Sequence, residues 1–255
     1  MSAETAWLLL AGVGAGLTGS VAGLASLVSY PALLAAGLPP VAANVTNTVA
    51  LFGVTGGTIA GSQSELKGQG HRIRGLVVAS ALGGAAGAAL LLSTPAEAFE
   101  SVVPWLIGAG SLLLFLRDRL RGWATARART VRRPRSDNER ALLWGGVVFL
   151  LGIYGGYFGA GVGIIALAAL ALERVEPLAV TNAVKNVSTG AANGTAALAY
   201  VVLAPVDWSA ALPLGAGALL GGFLGPRIVR IAPEKPLRWL VATAGLLLAV
   251  HLATS

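Results

Sequence analysis

The chain has no cysteine, one methionine and two histidines among its 255 residues. Without cysteine there can be no disulfide, no thiolate metal site and no cysteine nucleophile. Charge is scarce as well: 11% of residues are Asp, Glu, Lys or Arg, against roughly 25% in an ordinary soluble domain. The acidic residues are the scarcer sign, 11 against 18 basic ones. All of them lie in loops or near the ends of apolar runs, so the sequence offers no carboxylate at depth for a proton relay or a sodium site. The two histidines, His71 in a polar loop and His251 near the C-terminus, are expected on opposite sides and too far apart to form a site. There is no HExxH and no Ser/His pair inside an apolar run. An enzyme is therefore not expected, and neither a cofactor nor a metal site.

What the chain has instead is apolar residues, 55% of the total, and 35 glycines. A helix needs roughly 20 residues to cross about 30 Å of hydrocarbon. Uncharged runs of that order recur at 5–38, 39–61, 75–93, 99–116, 141–172, 177–204, 208–226 and 236–253. The expected class is an all-α, multi-pass membrane protein whose surroundings are lipid. The first run follows Glu4 with no basic residue ahead of it, so a removable secretory signal is not expected. A formal charge of +7 would suggest a nucleic-acid partner in a soluble protein. In a membrane protein Lys and Arg mark cytoplasmic loops instead, and no nucleic-acid partner is expected.

The one long polar stretch, 117–140, carries nine arginines and reads as a solvated cytoplasmic linker. It separates a first half, 1–116, from a second, 141–255, and the halves repeat. Gly16, Gly19 and Gly23 are matched in spacing by Gly152, Gly155 and Gly159. A Thr-Asn pair follows each set, Thr46-Asn47 and Thr181-Asn182. Gly83, Gly84 and Gly87 are matched by Gly221, Gly222 and Gly225, and Trp105 by Trp239. Glycines alone would be weak evidence, since small residues let membrane helices pack whatever the function. Four matches in one order are not.

Segments 5–38 and 141–172 are too long for one straight crossing at about 1.5 Å per residue. If both double back, 17 of the 18 basic residues fall on one face, and Glu4, Glu97, Glu100 and Asp207 on the other. Eight single crossings would spread the basic residues over both faces, a poor positive-inside pattern. The expected architecture is two inverted repeats, each a glycine-rich broken or re-entrant hairpin plus three transmembrane helices, with both termini outside and 117–140 cytoplasmic. Irregular backbone at membrane depth must be buried or line a wet cavity, so the hairpin tips, near Gly23 and near Gly159 and Gly161, should meet inside.

Asn182, Lys185, Asn186, Thr189 and Asn193 recur every three or four residues and share one helix face. Asn44, Asn47, Thr48 and Thr55 form a similar stripe in the first half. Lys185 is the one cation away from the segment ends. One explanation is that Lys185 snorkels to the cytoplasm and the Asn and Thr side chains only join helices. The other is that Lys185 helps bind a small oxyanion, together with helix ends at the hairpin tips and hydroxyl and amide donors nearby. On that explanation the substrate-binding candidates are Lys185, Asn182, Thr181, Asn186, Thr189, Asn47, Thr46, Gly23, Gly159 and Gly161.

The run GYFGAGVG at 156–163 with AVTN at 179–182, and GSVAGLAS at 19–26 with Tyr30-Pro31 and ANVTN at 43–47, together resemble the sulfite exporter TauE/SafE family of membrane permeases. The resemblance covers nearly the whole chain, departing at 24–27 where the family usually has more glycine. It implies a secondary transporter, in the exporting direction, of sulfite, organosulfonates or related anions, in a bacterial inner membrane. Two other readings of the same residues are a passive anion pore and a scaffold whose basic linker docks a partner or anionic lipid. A homo-oligomer is compatible with all of them.

Overall fold

The computed structural model describes residues 2–128, 136–228 and 234–254, and every regular element among them is a helix. In chain order these are α1 (Ala3–Ala22), α2 (Ala25–Ala35), α3 (Pro40–Gly61), a single turn α4 (Gln63–Leu66), α5 (Gly70–Ser93), α6 (Ala96–Ala128), α7 (Asp137–Tyr157), α8 (Val162–Glu173), α9 (Leu178–Leu203), α10 (Trp208–Ile228) and α11 (Glu234–Thr254). By length and apolarity together, Gly70–Ser93, Ala96–Leu120 and Trp208–Gly225 each qualify as a membrane span. The protein is a multi-pass helical membrane protein.

Both over-long segments break at their glycines. The first breaks over two residues, Gly23 and Leu24, with Gly23 left-handed at φ 73°. The second breaks over four, 158–161, with Gly159 at φ 77° and Gly161 at φ 74°. That difference accounts for the missing glycines at 24–27: the shorter break needs one left-handed residue, and α2 has already begun at Ala25. In each hairpin the first arm, of 20 or 21 residues, is long and the second short. At 11 and 12 residues, α2 and α8 reach only about 16–18 Å and cannot cross the hydrocarbon alone. Serines start both long arms: Ser2 accepts from the Thr5 N–H and Ser136 from the Glu139 N–H.

The glycine motifs of the two halves pack on each other. A Cβ on Gly16 of α1 would overlap the Ala218 carbonyl and crowd Gly221 and Gly222 of α10, and one on Gly225 would overlap Ser20. In the matching contact, a Cβ on Gly87 or Gly156 would overlap backbone across the α5/α7 seam. Each first arm therefore lies against a glycine helix of the other half at a separation that admits no side chain. Register gives the directions. Gly12 meets Leu214 and Gly16 meets Ala218, so α1 and α10 run parallel; Ala50 meets Gly215 and Gly57 meets Leu219, adding α3 to that group. In the same way α7 and α9 run parallel to α5. Between the groups the sense reverses, since Thr55 meets Gly190 while Phe52 meets Gly194.

Residues 117–128, expected as solvated loop, instead continue α6 as helix. Arg, Ala and Leu are good helix formers, and Ala124 and Arg117 are buried. Trp7, Trp123 and Trp208 are exposed near helix ends, where amphipathic rings anchor at a membrane interface; Trp105, also exposed, lies ten residues into α6. The side chain of Trp239 and residues 129–135 lie outside what the structure describes.

Candidate functional site

The hairpin tips meet. Gly23 at the end of α1 lies so close to Gly163 in the first turn of α8 that a Cβ on either would overlap the other's Cα. Around this contact is a cavity of about 90 Å³, several times the space one water needs. Its wall includes Gly19, Gly23, Ala25 and Ser26 from the first hairpin, Gly159, Val162 and Gly163 from the second, Thr55 of α3, Ser80 of α5, and Lys185, Asn186, Ser188, Thr189 and Asn193 of α9. Lys185 is 1% exposed.

Two helices begin at this wall. Ala25 and Ser26 open α2, and Val162 and Gly163 open α8; neither helix has a side-chain cap. The first N–H groups of a helix have no carbonyl four residues behind them, and they carry the positive end of its dipole. Lys185 and the starts of α2 and α8 thus share one small enclosure.

The Asn residues of the stripes have a second task. A broken helix leaves carbonyls unpaired at its end, and here the other half supplies their donors. Asn182 and Asn186 donate to the Ser20 carbonyl at 2.8 and 3.0 Å, and Asn44 donates to the Tyr157 carbonyl at 2.9 Å. Side chains of α9 therefore hold the break after α1, and Asn44 of α3 holds the break after α7.

A family model for the sulfite exporter TauE/SafE matches residues 8–252. The chain belongs to that family. It is similar to a probable membrane transporter protein, ORF9, of a Sinorhizobium species, with 27% identity over 97% of this chain and 91% of the relative. A probable membrane transporter protein of Haemophilus influenzae is 28% identical over 92% of this chain and 88% of its own length. The probable membrane transporter protein YfcA of Escherichia coli K12 is 27% identical over 93% and 85%. No solved structure matches. This TauE/SafE member is a membrane transporter.

Of the residues singled out in the sequence, the structure brings Lys185, Asn186, Thr189, Gly23 and Gly159 to the cavity wall. Asn182 stands one turn away on the Ser20 carbonyl. The others serve packing nearby. The Asn47 carbonyl oxygen accepts from Ser29, and its amide donates to Ser26 at 3.4 Å. Thr46 accepts the Asp207 N–H at 3.0 Å, holding the entry to α10. Thr181 donates to Glu176 at 3.2 Å, and Gly161 packs on Gly110 of α6. Sequence reasoning missed Ser26, Ser80 and Ser188. Single serines are common in membrane helices, and only the meeting of α2, α5 and α9 gives these three a shared address.

Proposed function

We propose that this transporter carries small sulfur-containing oxyanions, such as sulfite or an organosulfonate, through the cavity between the hairpin tips. The observation that carries the proposal is the convergence of Lys185 and the starts of α2 and α8 on one enclosure. A charge-assisted hydrogen bond contributes about 1.5–3 kcal/mol, and a favourably placed helix start up to about 2 kcal/mol. The halves 1–116 and 141–255 act as inverted repeats joined by the cytoplasmic linker 117–140, and rocking of one against the other exposes the cavity to each side in turn. The opposed directions of the two helix groups support this reading. An anion leaving a cell that is negative inside gains about 2.3 kcal/mol per charge per 100 mV, so export needs no coupling ion.

The test is uptake of labelled sulfite and sulfoacetate into proteoliposomes at an imposed potential, comparing the native chain with Lys185→Met and Lys185→Arg. The native chain should show saturable uptake, reduced about tenfold or more in the Met variant and in part retained with Arg. Equal transport by a folded Met variant would remove the lysine from the anion path. Unsaturable flux at far higher turnover would replace the carrier with a pore.

A further inference from the structure

One end of α8 is held by ions. Arg72 on α5 donates from Nη2 and Nε to Glu173 at 2.6 and 3.1 Å, and from Nη1 to both oxygens of Glu176 at 2.8 and 3.0 Å. The three side chains are 9%, 6% and 8% exposed. Thr181 of α9 donates to the same Glu176 carboxylate. Directly beneath is an apolar layer of Leu76, Val148, Leu170 and Val184, and beneath that the central cavity, which Val148 and Leu170 also line.

The layers follow from helical spacing. On α5 the order is Arg72, Leu76, Ser80; on α8 it is Glu173, Leu170, Ala166; on α9 it is Thr181, Val184, Ser188. Residues three or four apart share a helix face, so each of three helices presents one residue to the ionic cap, one to the apolar layer and one to the cavity. The other end of α8 is a glycine turn, with left-handed residues at 159 and 161. On an adjoining face, Leu167 and Ala171 line a second cavity of about 100 Å³ that Thr125 of α6 and the latch residue Glu176 also border. Turn, clasp and clearance are found on one 12-residue helix.

We propose that Arg72, Glu173 and Glu176 form a latch that closes the central cavity toward the loops at 62–69 and 174–177, and that α8 opens it by swinging about Gly159 and Gly161 toward α6. The latch rests on the transporter reading above, but not on which anion is carried. Removing Arg72 would leave two carboxylates unpaired and largely out of water in the closed state, a cost that opening to water relieves, so the guanidinium favours closure. Movement of α8 also carries Val162 and Gly163, linking the state of the latch to the shape of the anion enclosure.

The absence of native cysteine allows a direct test. Ala166→Cys places a thiol on the cavity wall, and a membrane-impermeant maleimide is added to vesicles oriented so that a Lys67→Cys control reacts. With Arg72→Gln, the thiol at position 166 should react about tenfold faster, as expected for a population shift of that size. The exchange Arg72→Glu with Glu173→Arg, which preserves the set of charges, should return the rate to near the starting value. Unchanged labelling in a folded Arg72→Gln variant overturns the latch, as does a rate that stays high in the exchange. If Arg72→Gln does not fold, Glu176→Gln decides: faster labelling supports the latch, and an unchanged rate overturns it. Because labelling needs no substrate, normal transport by Lys185→Met would sink the anion site and leave this result standing.

Discussion

The two hairpins answer the same physical demand with different means. Both must turn a helix inside a membrane protein, satisfy the carbonyls exposed at the break, and hold a short second arm in place. The first turns in two residues at Gly23 and fastens α2 by packing and by the Ser29–Asn47 hydrogen bond. No ionisable side chain occurs from 31 to 43. The second turns in four residues with two left-handed glycines, and α8 ends on the Arg72 ion pairs. Beside the first arm the apolar layer is Ala15, Leu51 and Ala218; beside the second it is the bulkier Leu76, Val148, Leu170 and Val184. The comparison teaches that two hairpins with similar backbone breaks can hold their short arms by different means. Here α2 is fixed by short-range packing, and α8 is held by a contact that charge can make or release.

The largest expected effect comes from breaking the meeting of the tips. Gly23→Ala combines a left-handed backbone with overlap on Gly163, costs of about 1–3 kcal/mol each. Gly159→Ala carries the same backbone cost, but its tightest neighbour is its own preceding turn, at Gly155. The Gly23 variant should therefore lose much more melting temperature in detergent. Equal losses would mean that the tips are not in contact.

A smaller effect separates the two capped breaks. Among the described residues Ser20 O has two side-chain donors, Asn182 and Asn186, whereas Tyr157 O has one, Asn44. Asn44→Ala should cost about 1–3 kcal/mol by leaving a buried carbonyl without that donor, and Asn186→Ala nearer 1 kcal/mol. Reversed order in denaturation midpoints would contradict the capping assignment.

The smallest effect lies at the start of α10. The Ser209 hydroxyl and the Ala210 N–H hold the Asp207 carboxyl below the usual carboxylate range. A depressed folded-state value stabilises the fold above the unfolded-state value, and that contribution is lost as pH falls through the folded one. Asp207→Asn should flatten the acid side of the melting-temperature profile slightly and leave neutral pH almost unchanged. An unaltered acid limb would show that these bonds do not act on stability. At the matching start of α5, Gln69 provides no side-chain cap.

Much of the fold was legible in the sequence because membranes restrict the choices. Run length, the glycines at 16–23 and 152–159 and the basic loops were enough to place the breaks and to expect that the tips meet. The polar stripe pointed to the face where Lys185, Asn186 and Thr189 line the cavity. What spacing could not supply was the partner of each donor. That Asn182 reaches Ser20 162 residues away, or that Thr181 belongs with Glu176 and Arg72, depends on which helices pack together. The helical start of 117–140 was hidden for another reason: nine arginines read as a solvated loop on charge alone, although Arg itself, Leu120, Ala124, Ala126 and Ala128 are good helix formers.

The most direct measurement of the central claim is equilibrium binding of sulfite to the purified native chain and to Lys185→Met, by calorimetry at low ionic strength. The account predicts one saturable site in the native chain and affinity at least about tenfold weaker in the variant, a difference of roughly 1.4 kcal/mol or more. Equal affinity in a folded variant would contradict it.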